Sequence, residues 1–366
     1  MQRSKPPFRA DHVGSLLRTA AIAKARRQRE AGEITAAELK AVEDREIETI
    51  IKKQEATGLQ SVTDGEFRRA WWHLDFLERL TGAESFYREQ GVAFHGVQTR
   101  PKGVRVVGKL GFDGHPMIEH FKFVAAHTSR TPKMTIPTPT AMHYREGRAG
   151  ISKAIYPDIA AFFHDLGEAY RKAVHAFADA GCRYLQLDEV YLALLCDPEQ
   201  HKILRSQGED PERLPGIYAE VINRAISDIP SDMTITMHLC RGNFRSTFMA
   251  SGGYEPIADL LFNRLDIHGY FMEFDSERAG GFEPLRLVPK NKTVVLGLVT
   301  SKSGTLERKD DIKRRIEQAA KFIDLDQLAL SPQCGFASTE EGNILAEDEQ
   351  WAKLRMIVEI ADEVWG

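Results

Sequence analysis

MTITMHLC, residues 233–240, is the stretch on which the fold turns. Its short apolar, β-branched run has the length and composition of a buried strand. The run closes on His238 and Cys240, two residues apart. In a strand, side chains at i and i+2 leave the same face, so the imidazole and the thiol aim at one point. Two readings are open for the pair. It is either a half-buried strand end that merely packs, or half of a metal site that needs further ligands.

Working outward, similar short runs recur with helical patterns between them. Strands are expected at 9–15, 61–66, 132–139, 182–189, 233–240, 268–275, 293–301 and 328–335. Helices are expected at 16–32, 35–58, 115–128, 157–181, 212–228, 254–265, 306–323 and 347–364. Thr35 with Glu38 forms a capping box, and Gly58 ends that helix. Segments 91–100 and 103–111 read as a β-hairpin inserted after the second strand, with Pro101 and Gly103 at its turn. Eight strands alternating with helices require a parallel sheet covered on both faces, and eight such units predict an α/β (β/α)8 barrel. The expectation is one barrel domain over 1–366, with the hairpin at about 91–111. An open doubly wound sheet is the alternative, but no GxGxxG follows an early strand.

Composition narrows the function. A net charge of −4 offers no basic footprint for nucleic acid. The cluster KARRQRE (24–30) reads as a solvated helix face. No apolar run reaches membrane-spanning length and the N-terminus carries no signal core, so a cytoplasmic protein is expected. The four cysteines, Cys182, Cys196, Cys240 and Cys334, have no disulfide-scaffold density. Their thiols are expected to be reduced and free for metal or catalysis, with Cys182 and Cys196 as bystanders. A homo-oligomer is compatible with this composition.

Position gives the polar residues meaning. Strand ends carry Gly14-Ser15, Asp64-Gly65-Glu66, Asp188-Glu189, His238 with Cys240, Glu273 with Asp275, Thr300 to Lys302, and Gln333-Cys334. In a barrel these ends converge on one mouth, where active sites are built. His238, Cys240, Glu273 and Cys334 would then suit tetrahedral Zn2+, with Asp275 as a rival to Glu273. Cys334 could instead be a small buried hydrophobe, and Glu273 a rim salt-bridge partner. Two thiolates and a carboxylate make zinc a poor Lewis acid for splitting water. Such a site favours alkylation of a thiol over hydrolysis.

The motifs FRADHVGSLLR (8–18), VTDGEFRR (62–69), LQLDE (185–189), MHLCRGN (237–243), YFMEFD (270–275) and SPQCGFASTEEGN (331–343) together resemble cobalamin-independent methionine synthase. The likeness is to its catalytic C-terminal barrel and to the short single-barrel bacterial relatives. The resemblance implies a zinc site of His238, Cys240, Glu273 and Cys334, with homocysteine as the thiol and methionine as the product. It implies that Ser15 and the backbone at Gly14 hold the substrate carboxylate, and that Glu66 and Asp188 take the ammonium group. Glu66 could instead pair with Arg68 or Arg69, and Asp188 could cap a turn. Glu189 is a candidate to orient His238.

The family histidine associated with proton transfer falls at Lys302, so Glu66, Asp188 and Lys302 are the candidate catalytic groups. Full-length relatives carry a further N-terminal barrel that helps to hold folate, which leaves the methyl donor open between a methylfolate, a methylated corrinoid and another methyl compound. Trp71, Trp72 and His73 could wall the donor side, Arg241 and Asn243 could reach substrate, and Arg278 with Gly280-Gly281 could form a lid. The alternatives in function are alkyl transfer to another thiol, a zinc hydrolase on the same barrel, and a structural zinc site.

Overall fold

The computed structural model describes residues 3–366 apart from 90, 92, 100 and 101. Six parallel strands lie side by side in chain order: Met134–Pro137, Tyr184–Glu189, Thr234–Leu239, Gly269–Glu273, Thr293–Val299 and Leu328–Pro332. Ser61–Val62 pairs in parallel with Thr131–Pro132, and the Lys133 amide donates to the Val62 carbonyl at 2.8 Å. Residues 9–16 close the ring. Ala10 bridges Leu330 in parallel, Thr63 Oγ1 donates to the Gly14 carbonyl at 2.6 Å, and the Leu16 amide donates to the Gly65 carbonyl at 3.0 Å. The result is a closed (β/α)8 barrel.

Two of the eight expected strands are shorter than their sequence suggests. In 9–15 side chains take bonds that a ladder would use. Asp11 accepts from the amides of Phe8 and His12, from Ser61 Oγ at 2.8 Å and from Tyr184 Oη at 2.8 Å. Gly14, at φ +134°, then bends the chain. In 61–66 the ladder stops at Val62, because Gly65 and Glu66 both adopt left-handed backbone at φ +64° and +60°. The helix expected at 254–265 is present but irregular, a 3-10 turn at Glu255–Ile257 running on into a wide π turn at Leu260–Arg264.

The inserted hairpin is present with a different first arm. Thr81–Tyr87 pairs antiparallel with Lys102–Gly111, while the described residues of 91–100 contribute the small pair Ala93–Phe94 and Val97–Gln98 at its tip. The arm TGAESFY has little β-branched character and its middle is partly exposed, so neither composition nor alternation marks it. Of the turn expected at Pro101 and Gly103, Pro101 lies outside the described residues, and Gly103 is not a turn residue but pairs with Phe86 inside the longer strand.

Register fixes which side chains enter the barrel. Asp188 stands opposite His238, and His238 opposite Phe271. The inward line on the fourth strand is therefore Tyr184, Gln186 and Asp188, and on the sixth Phe271 and Glu273. Tyr184, Phe271, Val295, Ala329 and Val13 fill the lower interior as one buried cluster. Lys133 Nζ sits above the Phe271 ring at 4.0 Å and donates to the His12 carbonyl at 2.6 Å. This apolar plug, with each large side chain contributing about 2 kcal/mol of burial, leaves the polar residues one layer higher, at the mouth. No helix among the described residues is long and apolar enough to cross a membrane.

Candidate active site

At the mouth His238, Cys240 and Cys334 are all buried, and their donor atoms lie within 4.8 Å of one another. His238 Nε2 is 3.3 Å from Cys334 Sγ. The strand supplies the first two from one face, and the turn after the eighth strand brings the third across. The Cys240 thiol is held well below its usual range, first by the hydrogen bond from Cys334 and then by His238. Donation to Cys240, with burial, pushes Cys334 well above it. Burial opposes charge on His238, but its contact with Cys240 outweighs that and raises its pKa. His238 Nδ1 has no partner among the described residues. A buried imidazole with two mutually bonded thiols is a donor set that fits a soft divalent ion.

Glu273 stands outside this trio. One carboxylate oxygen accepts from the Arg241 amide at 2.7 Å. The other meets the Arg278 guanidinium and, at 3.3 Å, Lys302 Nζ. Burial works against its charge, but Lys302, Arg278 and Arg241 prevail and hold its pKa below the ordinary value. Lys302 bridges Glu273 to Asp275, also at 3.3 Å. Its ammonium thus lies behind Glu273 rather than among the residues lining the cleft.

A cleft of about 500 Å3 opens onto the trio and is lined by Ser15, Glu66, Trp72, Asp188, Asn243 and Gly335, among others. Glu66 Oε1 accepts from Thr135 Oγ1 at 3.1 Å and lies 3.6 Å from Arg69. Its Oε2 is buried with no partner among the described residues. Burial raises the Glu66 pKa. Burial and the nearby Glu66 charge push Asp188 up to about 7, and Gln186 Nε2 donates to its Oδ1 at 2.7 Å. A Cβ on Gly335 would come within 1.9 Å of Ser15 Oγ, so only glycine leaves room for that hydroxyl. Asn243 is held by donation to the Gly335 carbonyl at 2.9 Å, and its own Oδ1 has no partner among the described residues.

Several expectations need correcting. Glu189 does not orient His238. Adjacent residues of a strand face opposite ways, and Glu189 accepts from Thr138, Thr140 and the Leu192 amide, capping the next turn. Arg241 does not reach into the cleft. Its guanidinium is fully buried and donates to the Gly252 and Ala279 carbonyls and to Tyr254 Oη. The loop at 278–281 is not a free lid, because Arg278 also donates to the Ala250 carbonyl and its own carbonyl accepts from the Gly252 amide. Trp71 packs on Phe244 at 6.2 Å rather than lining the cleft, whereas Trp72 does line it, with His73 against its ring at 4.5 Å.

Phe94, Arg145 and Met249 also line the cleft. Sequence reasoning did not single them out, since they sit in the hairpin tip and in loops without periodic pattern. Gly335, directly after Cys334, was the one readable signal.

The fixed loop invites a test. Arg241→Ala is expected to cost about 3 kcal/mol in denaturant unfolding, and to speed hydrogen exchange at the Gly252 amide, as its buried acceptors lose their donor.

Comparison with known proteins agrees with this fold. The sequence profile of "Cobalamin-independent synthase, Catalytic domain" matches residues 8–363. The uncharacterized proteins YxjH and YxjG of Bacillus subtilis are 51% and 53% identical, covering all of this chain and 96% and 97% of theirs. The crystal structure of the putative vitamin-B12 independent methionine synthase from Listeria monocytogenes superposes with a TM-score of 0.81 at 43% identity, over 100% of both chains.

Proposed function

Because the chain belongs to the cobalamin-independent synthase catalytic-domain family, whose members are methyltransferases, we propose that it moves a methyl group onto the thiol of homocysteine to give methionine. One observation carries this reading: a buried imidazole and two thiols share a cleft with two carboxylates of raised pKa, Glu66 and Asp188. The first set suits a thiol-activating metal. The second suits an ammonium group arriving beside it.

His238, Cys240 and Cys334 would hold zinc, and Glu273 would complete the set by exchanging its contact with Arg278 or Lys302. Zinc supplies stabilisation of a thiolate at neutral pH. The protein's own groups do the rest. The Ser15 hydroxyl, beside Gly335, receives the amino-acid carboxylate. Glu66 Oε2 and Asp188 receive the ammonium, which removes the cost of keeping two like charges buried together. The barrel wall excludes water and holds the acceptor sulfur for in-line attack. The new S–C bond forms as the bond from methyl carbon to donor atom breaks, and the electron pair leaves with the donor. Trp72 offers a flat wall to that donor.

A transfer assay with homocysteine tests the reading against a panel of donors: mono- and polyglutamylated methylfolate, methylcobalamin and S-methylmethionine. Methionine formation from at least one donor is expected. None from any donor, in zinc-loaded protein, refutes it.

The pH dependence of product binding gives a second check. Methionine carries no thiol proton, so it isolates the ammonium contact. Its ammonium binds the ionised form of Asp188, whose pKa lies at about 7. Affinity is therefore expected to fall as the pH drops below about 7, as read by calorimetry. A flat profile down to pH 5 contradicts the pairing.

A further inference from the structure

Residues 12–14 of the first strand are held into the barrel by side chains. Three successive carbonyls each accept from a different neighbouring segment: His12 from Lys133 Nζ at 2.6 Å, Val13 from Gln186 Nε2 at 2.7 Å, and Gly14 from Thr63 Oγ1 at 2.6 Å. Of these donors, Gln186 is the one that also reaches a carboxylate lining the cleft. The same nitrogen donates to Asp188 Oδ1 at 2.7 Å, and a primary amide has two hydrogens, one for each acceptor. Gln186 is fully buried, and its Oε1 has no partner among the described residues. A buried amide oxygen left alone is unfavourable, so a glutamine standing here answers a demand at its nitrogen. Turned over, the amide would set its oxygen against two others. Val13 leads into the Gly14-Ser15 turn and lines the cleft with Ser15 and Asp188. One buried amide therefore spans the two sides of the cleft to which the carboxylate and the ammonium of an amino acid are assigned above.

We propose that Gln186 is a positioning residue that fixes the spacing between the Ser15 turn and Asp188 and thereby selects the L configuration of the acceptor. The inference rests on the methyl-transfer reading, and it adds which residue sets handedness. A chiral carbon is read when three of its substituents are held at once. Here the sulfur arm is held at the trio, the carboxylate at Ser15 and the ammonium at Asp188. With Oδ1 engaged by Gln186, Oδ2 is the oxygen that meets the ammonium. Asp188 stands opposite His238 on the neighbouring strand, so the backbone ladder sets the distance between ammonium and sulfur. The first strand has no such ladder to the fourth. Tyr184 Oη ties the two together at Asp11, two residues lower, at 2.8 Å, and the Gln186 amide repeats that tie at the level of the mouth. Without it the carboxylate-holding turn and Asp188 drift relative to each other, and the mirror-image ligand is no longer excluded.

The test compares L- and D-methionine, which carry both head groups and no thiol, binding to the full-length, zinc-loaded protein by calorimetry. The wild type is expected to favour the L form about ten- to a hundredfold, since the D form forfeits one charge-assisted contact. Gln186→Met is apolar and of similar length, and it removes both hydrogen bonds. It is expected to bring the two affinities to within about threefold, with zinc content unchanged. Gln186→Glu is expected to do the same, because a carboxyl group has at most one hydrogen and cannot serve two acceptors. A merely structural glutamine would lower the unfolding midpoint and leave the enantiomer ratio where it was. That result overturns the proposal, as does a wild type that holds both enantiomers equally. If neither variant folds, a crystal structure of the wild type with L-methionine decides. Gln186 Nε2 is expected on both the Val13 carbonyl and Asp188, with the ammonium on Asp188; an ammonium on Glu66 alone overturns the proposal. A wild type that binds neither enantiomer refutes homocysteine as the acceptor, and the proposal with it. An unmoved ratio in a variant that still forms methionine sinks the role of Gln186 alone.

Discussion

Replacing Cys240 or Cys334 by serine is expected to leave a folded barrel that holds almost no zinc and forms methionine roughly a thousandfold more slowly or worse. The hydroxyl takes the thiol's space but binds a soft ion poorly at neutral pH. Without the ion, the acceptor keeps its proton, since a free thiol with pKa about 8.5 is only a few per cent ionised at pH 7. That alone removes more than tenfold, and the lost positioning of the sulfur removes the remainder. Both thiols lie in one mutually bonded, buried cluster with His238, so neither can substitute for the other. The measurement is elemental analysis of each variant beside its initial rate. Stoichiometric zinc with ordinary turnover in either one would falsify the assignment of that thiol as a ligand.

Glu66→Gln is expected to weaken homocysteine binding about ten- to a hundredfold, the worth of one charge-assisted contact in a buried place, with zinc content unchanged. Glu66 is anchored on one side by Thr135 and Arg69, and its other oxygen is buried without a partner among the described residues. An acceptor lone pair buried in that way is costly unless a ligand completes it. The amide keeps the shape and loses the charge, so the loss reports the ammonium contact rather than a collapse of the turn. Intact homocysteine affinity with lost metal would reverse the roles given to these groups.

The sequence made the barrel and the heart of the candidate site readable for one reason: both rest on short-range pattern. His238 and Cys240 share a face by strand period alone, and Cys334 follows an unambiguous last strand. What stayed hidden depends on partners far away in the chain. Glu273 reads as a plain ligand until Arg241, Arg278 and Lys302 are seen around it. The first strand reads as a ladder until Asp11 is seen collecting the hydrogen bonds. Arg145 and Met249 come from irregular loops, where spacing carries no information about direction. The error on Glu189 was avoidable, because two consecutive strand residues cannot both face the barrel axis.

His238, Cys240 and Cys334 grow from the ends of the barrel staves, whereas Phe94, on the cleft wall, arrives on a strand pair spliced between its second and third units. That wall of the cleft is therefore detachable from the trio of His238, Cys240 and Cys334. Exchanging that one insertion between relatives would reshape one side of the opening and leave the buried imidazole and thiols where they stand.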